Sequence, residues 1–413
     1  MITVKPFKAL RPNDNLADKC AALPYDVMSS MEAREMVKGN PYSFLRIDRA
    51  EINLDPSVDI YSDEVYNTAK NMLNQFENDG IYINDKEKKY YFYRQIMGEQ
   101  SQTGIVGCAS IDDYLENRIK KHEVTRADKE IDRIKHVDTC SAQTGPIFLA
   151  YKESETLDSI IIEQTKKAPL YDFVAEDGVR HTVWTTDSAE IDSQIENAFA
   201  SLDALYIADG HHRCASAVKV GTKRRNENPN YTGNEEFNYF LSVIFPSSTL
   251  KILDYNRLLK DLNGYTVEEL LNELQKVGIL TEYKGEGPYR PEKKHTVGVY
   301  VGEKWYKLEF NSELCQAEKA VDRLDCAILQ KNVLSAIFGI GDPRTDKRID
   351  FAGGIRGLKY LEKRCQEDSK VAISMYPTSL NDLMAVADDG DVMPPKSTWF
   401  EPKLRSGLLI HKI

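Results

Sequence analysis

No two of the seven cysteines in this chain of 413 residues form a CxxC pair. Cys20, Cys108, Cys140, Cys214, Cys315, Cys326 and Cys365 are odd in number and widely scattered. That pattern argues against a disulfide-stapled scaffold and against a cysteine zinc site. Long apolar runs are missing too. None approaches the ~20 residues that a membrane-spanning helix needs, and the opening MITVKPFKALRP holds no apolar stretch of the signal-peptide kind. Positive charge is in deficit: 54 Lys and Arg stand against 65 Asp and Glu, for a net charge of −11. An acidic surface repels phosphate backbones, which makes nucleic acid a poor partner for the chain as a whole. The most basic short run, Lys223-Arg224-Arg225, is three residues long and suits a solvated helix end. HExxH spacing, Walker glycines, internal repeats and low-complexity tracts are all absent. The expectation is a reduced, soluble, cytoplasmic protein whose ligand is neither nucleic acid nor membrane.

What is present is an ordinary globular balance, with 41% hydrophobic and 29% charged residues. The chain is too long for one typical domain. Apolar residues Val65, Ala69, Met72, Leu73 and Phe76 fall at helical spacing over 61–80, and Asp79-Gly80 stops the helix. Residues 89–97 and 104–111 read as strands, 112–143 as mostly helical, and Thr144-Gly145-Pro146 as a breaker before the apolar run 147–151. Residues 205–208 form a short strand leading into a helix, 223–234 an exposed loop, and 239–245 a buried strand. Thr266 and Glu269 form a capping box before Leu270, Leu271 and Leu274, with Gly278 as the stop. Residues 296–301 and 304–310 read as a hairpin around Gly302-Glu303, and 324–337 as a helix ending at Gly339. Strands and helices interleave throughout, so the expected class is mixed α+β.

Chemistry concentrates in Leu205 to Ala217, LYIADGHHRCASA. A strand ends at Asp209, Gly210 permits a tight turn, and a helix starts near His212. The first amides of such a helix lack partners and, with the helix dipole, favour an anion. Arg213 adds a guanidinium fork, and His211 and His212 can carry protons near neutral pH. Asp209 can orient a histidine, hold a metal or cap the helix. Lys121-His122-Glu123-Val124-Thr125 sets a cation, an imidazole and a carboxylate side by side, suited to a general base or to a solvated charged face. Lys396, Ser397 and Lys403 lie in a proline-stiffened stretch and offer anion-binding groups. Asp26 and Arg46, on stiff polar-aromatic loops, are candidates for the ammonium and carboxylate of an amino acid. Arg344 is read either as an anion ligand or as the partner of a neighbouring Asp.

The Asp209-Gly210-His211-His212-Arg213 turn resembles the signature of a bacterial and archaeal family, domain of unknown function 1015. Further matches in order are Leu23-Pro24-Tyr25-Asp26-Val27, Asn40-Pro41-Tyr42-Ser43-Phe44-Leu45-Arg46, the 121–125 segment, Gly341-Asp342-Pro343-Arg344-Thr345-Asp346 and the final MPPKSTWFEPKLRSGL. The Gly210-His211-His212-Arg213 turn is also similar to the phosphate-binding turn of the ParB and sulfiredoxin superfamily, which includes a free serine kinase. Sulfiredoxin has its nucleophilic cysteine where His211 stands, which makes that chemistry improbable here. The likeness implies a phosphate cradle at Gly210, His212 and Arg213. Family members are often encoded beside serine-biosynthesis genes, which implies phosphoserine as ligand.

The resulting expectation is a ParB/sulfiredoxin-like core at 151–250, flanked by an N-terminal α/β lobe at 1–150 and a C-terminal α+β lobe at 251–413 whose tail returns to the site. The leading function is phosphoryl transfer to or from a small hydroxy amino acid, as a phosphoserine phosphatase or a free serine kinase. His211, His212, Asp209 and Glu123 are its catalytic candidates. Gly210, Arg213, His122, Thr125, Arg46, Asp26, Lys396, Ser397 and Lys403 are the binding candidates, with Mg²⁺ as a natural cofactor. A non-catalytic nucleotide-binding switch is the alternative, and a metal hydrolase on His122, Glu123, His211 and His212 ranks last. The direction of transfer, the nucleotide and the oligomeric state stay open.

Overall fold

A computed structural model describes residues 1–125 and 127–413. The chain divides into two compact units, Met1–Leu250 with Pro402–Ile413, and Lys251–Glu401. This differs from the three segments expected. There is no division at residue 150, because strands on both sides of it share one sheet. The last dozen residues belong with the first unit.

Among the described residues that sheet has nine strands. In order they are Ile119–Lys120, Leu205–Asp209, Ile147–Tyr151, Tyr239–Pro246, Gln100–Ser110, Tyr91–Met97, Arg180–Thr185 and Tyr171–Val174, with Val4–Lys5 also pairing to Gln100–Ser110. The pairings are mixed. Leu205–Asp209 runs parallel to Ile119–Lys120 and antiparallel to Ile147–Tyr151, which is itself parallel to Tyr239–Pro246. The register slips between Ile207 and Asp209. A bulge of this kind re-aims the strand end immediately before the Gly210 turn. Ile105, Leu149, Leu205, Ile207, Phe240 and Ile244 fill the core on one side of the sheet, with Cys214 and Val218 of the following helix against them. A smaller sheet threads the C-terminal strand Ile410–Lys412 between Ala9–Pro12 and Ala142–Gln143.

In the second unit the strands Gly278–Glu282, Lys304–Phe310, Thr296–Val301, Val371–Met375, Tyr255–Leu259 and Ile349–Gly353 form an antiparallel sheet in that order. Both units mix strands and helices, so the class is α+β.

Local expectations meet the structure unevenly. The helix Asp63–Asn78, the Thr266/Glu269 capping box on Val267–Gln275, and the hairpin turn at Gly302 and Glu303 (φ 57° and 61°) are all present. Gly278 is not a helix stop but a strand residue, where a Cβ would fall 2.1 Å from the Glu309 carbonyl oxygen. Residues 112–143 break into Ile111–Leu115, a short strand and Ala127–Cys140. Over 324–337 the helix Asp325–Leu329 widens into a π-turn at Gln330–Ser335. The expected loop at 223–234 starts late, because the helix His211–Glu227 runs on. Lys223 and Arg224 pair with Asp138, and Arg225 with Asp112. Arg224 and Arg225, the two cations in the last turn, also suit the negative end of the helix dipole. All seven cysteines are free. No helix among the described residues is long and apolar enough to cross a membrane.

Gly221 lies mid-helix, where alanine ordinarily stabilises by ~1 kcal/mol. Here a Cβ would lie 2.4 Å from the Phe237 carbonyl oxygen and 2.8 Å from Ile111 Cδ1. We therefore predict that Gly221→Ala destabilises the protein by roughly 1–3 kcal/mol in urea unfolding. A gain in stability would show that this contact relaxes freely.

Candidate functional site

Gly210 takes φ 89° and ψ 31°, the left-handed region that a side chain disfavours, and is the N-cap of the helix His211–Glu227. No side chain caps this helix start. Asp209 therefore does not cap, and a helix start of this kind has no carbonyl of its own helix for its first amides. Arg213 lies beneath the turn: a Cβ on Gly210 would meet its Nε at 3.0 Å. Its NH1 donates to the Pro146 carbonyl at 2.6 Å, and its NH2 stands 3.7 Å from Asp209 Oδ2. Arg213 thus braces the turn against the Pro146 carbonyl. Nε has no hydrogen-bond partner among the described residues.

Lys403, arriving on the C-terminal segment, places Nζ 3.4 Å from Asp209 Oδ2. It is held there by its own backbone, since its carbonyl accepts from Gln95 Nε2 at 2.8 Å and Gln95 Oε1 accepts from Gln102 at 3.0 Å. Arg405 anchors the same segment, donating to His181 Nε2 at 3.3 Å and pairing with Asp177. Burial alone would raise the Asp209 carboxyl. Lys403 and Arg213 outweigh it and bring it to about 2, so Asp209 is an anion between two cations.

His211 and His122 face each other edge to face, with ring centroids 4.5 Å apart. His211 is 4% exposed. Its Nε2 accepts the His122 backbone N–H at 3.5 Å, and its Nδ1 stands 3.5 Å from Glu123 Oε2. These contacts assign the proton to Nδ1, pointing at Glu123. Burial, reinforced by the facing His122, pushes His211 well below its ordinary range and keeps it neutral. Burial likewise takes His122 to about 4, against the pull of Asp209 and of the Ile207 carbonyl. That carbonyl does not reach hydrogen-bond geometry, and neither His122 ring nitrogen has a partner among the described residues. Two neutral buried imidazoles thus back one carboxylate, Glu123, whose side chain is 42% exposed.

Other candidates are placed differently. Thr125 donates to Glu130 at 2.7 Å. Lys219, Thr125 and His212 hold that carboxyl below its usual range despite its burial. Thr125 and His212 thus belong to a polar group on the flank of the helix. Arg46 is spent on its own loop, donating to the Asn40 and Val37 carbonyls and to Asn53 Oδ1 at 3.1–3.4 Å. These bonds tie the guanidinium to its own loop and use three of its five N–H donors. Asp26 is exposed, and beside it Tyr25 is buried with its ring 3.9 Å from the Arg133 guanidinium. Lys396 and Ser397 belong to the second unit, where the Lys396 carbonyl accepts from Arg257 and the Ser397 hydroxyl donates to the Pro394 carbonyl. Arg344 pairs with Asp342 at 2.9 Å. Asp132 and Arg133, a candidate polar pair in the sequence, link Tyr25 to Tyr66, the last link at 3.0 Å; sequence reasoning missed the Pro146 carbonyl and the Gln95–Gln102 relay. No local signal marks either of them.

A family model described as protein of unknown function (DUF1015) matches residues 4–327, which include the turn and the 121–125 segment. The chain belongs to the DUF1015 family. No curated protein matches the sequence. Among solved structures, the fold is similar to C-terminally truncated SbnI from Staphylococcus aureus at 11% identity and a TM-score of 0.41, covering 74% of this chain and 86% of that one. It is also similar to free serine kinase in complex with AMP, at 16% identity and a TM-score of 0.37, covering 73% and 90%. A conserved hypothetical protein from Pyrococcus furiosus matches at 16% and 0.35, covering 73% and 92%.

The buried imidazole of His122 sets a pH dependence. Its folded value near 4 lies below the ordinary 6.5, so between those values the unfolded chain binds a proton that the native state refuses. Stability therefore falls as pH drops from 6.5 to 4, by roughly 3 kcal/mol from this group. Asp209, lowered to about 2, adds a further loss between its ordinary value of 3.8 and 2. Urea unfolding at pH 7, 5.5 and 4 should show His122→Gln reducing the slope of the upper window, to which the buried His136, His181 and His211 also contribute, and leaving the lower window in place. An unchanged slope in that variant would contradict the assignment.

Proposed function

We propose that this DUF1015 protein transfers a phosphoryl group to or from the hydroxyl of a small amino acid, with serine and phosphoserine as the preferred pair. The observation that carries the reading is the conjunction at one turn of uncapped helix amides, the Lys403–Asp209 pair and a carboxylate backed by neutral imidazoles. Amides and Lys403 neutralise a phosphate, and phosphoryl transfer asks chiefly for positioning and charge neutralisation. The likeness of Gly210-His211-His212-Arg213 to the ParB and sulfiredoxin turn points the same way.

In this reading Glu123 is the general base. It takes the proton of the attacking hydroxyl, which is water in hydrolysis of phosphoserine and the serine side chain in phosphorylation. The new O–P bond forms as the bond to the leaving oxygen breaks. His211, buried with both ring nitrogens engaged, orients Glu123 through Nδ1 and does not itself accept a phosphoryl group. Asp209 holds Lys403 in place. The donor set does not suit a resident divalent ion. Asp209 is already flanked by two cations, and no three His, Cys, Asp or Glu side chains among the described residues group to hold one. Lys403 takes the neutralising role assigned to Mg²⁺ from the sequence.

The test measures phosphate release from O-phospho-L-serine and, separately, phosphoserine formation from serine with ATP or ADP, each with and without Mg²⁺. Glu123→Gln should lower kcat by ~10²-fold or more with KM little changed. Lys403→Ala should raise KM for the phosphorylated substrate. Nucleotide binding without turnover in either direction would replace the enzyme by a nucleotide-binding switch.

A further inference from the structure

In the second unit, Arg257 on the strand Tyr255–Leu259 is 3% exposed. A cation at that depth is ordinarily paired with a carboxylate, because removing an unpaired charge from water is costly. Arg257 has no such partner among the described residues. The titratable groups that face it are the Cys326 thiol and the Tyr255 hydroxyl. It donates instead to two carbonyls, of Tyr255 and, at 3.2 Å, of Lys396. The face of Phe351 lies 5.5 Å away.

The carbonyl it grips belongs to a rigid loop. Lys396 takes φ 60° after two prolines, in a turn where glycine or asparagine is the usual occupant of that conformation. Ser397 locks the loop by donating to the Pro394 carbonyl at 2.6 Å, while its own carbonyl accepts from Thr378 at 3.0 Å. The Lys396 ammonium stands 5.6 Å from the centre of the Tyr255 ring. A strained lysine held above a buried arginine that no carboxylate neutralises is a costly arrangement for a purely structural turn.

We propose that the loop at 394–397 binds phosphate. Lys396 contacts the anion, and Arg257 is a positioning residue that sets the loop through the Lys396 carbonyl and supplies a second positive charge from below. The residues named belong to the second unit, and the proposal stands independently of the reading given to the Gly210 turn.

Trp399 makes the test local. It meets the Tyr255 ring at 5.1 Å, and the chain has two other tryptophans, Trp184 and Trp305. In full-length protein carrying Trp184→Phe and Trp305→Phe, inorganic phosphate should give a saturable change in Trp399 emission. Arg257→Met and Lys396→Ala should each weaken the apparent affinity at least ten-fold, whereas Asp209→Asn should leave it in place. A Trp399 signal that does not saturate, or one that Lys396→Ala leaves unchanged, overturns the proposal. Should Arg257→Met fail to fold, Lys396→Ala decides alone, since that side chain is exposed. Pyrophosphate, ATP and O-phospho-L-serine titrated in the same protein identify the source of the phosphate group by their relative affinities.

Discussion

The first unit depends on one small electrostatic assembly: the Asp209 carboxylate held between Lys403 and Arg213 at the left-handed Gly210 turn. Each partner is delivered by a different part of the chain, and each is fixed by its backbone surroundings as much as by its charge. Arg213 reaches back to the Pro146 carbonyl, so the turn cannot shift without dragging the strand Ile147–Tyr151. Lys403 is pinned by the Gln95–Gln102 relay on the central strands. A carboxylate with two cations beside it is an unattractive metal ligand but an effective clamp. It holds a lysine in place beside the start of the helix.

The same assembly explains why a chain of net charge −11 can still receive an anion. Net charge governs long-range encounter, whereas affinity is set within a few ångströms by desolvated donors. The two histidines of the turn region follow the complementary logic. Burial strips both of positive charge, so they do not add to the cationic field, and His211 serves Glu123 through geometry instead. A carboxylate that is 42% exposed and supported by a neutral imidazole is placed to act as a base.

Elements governed by neighbouring residues were legible from the sequence alone. The capping box at Thr266 and Glu269, the apolar stripe of Asp63–Asn78, the Gly302-Glu303 hairpin and the strand-to-helix turn at Gly210 each follow from residues within a few positions of one another. What stayed hidden was long-range pairing. Ala9 pairs with His411 across almost the whole chain, which no local pattern announces. Arg46 carries the right charge for a substrate carboxylate, but its bonds to the Asn40 and Val37 carbonyls and to Asn53 could not be read from the sequence. The reach of Arg213 to the Pro146 carbonyl, 67 residues away, was equally hidden. Lys403 was singled out as an anion-binding group, but its Asp209 partner and its supporting glutamines emerge only from the fold.

The central claim is that the amides at the start of the His211–Glu227 helix receive a phosphate group. Histidine-selective ¹⁵N labelling gives seven backbone signals, few enough to assign by substitution. Titration with O-phospho-L-serine should shift the His211 and His212 amides downfield and leave those of His181, His295 and His411 in place. Saturating ligand that leaves the His211 and His212 amides unmoved, or that moves all seven alike, would contradict the account.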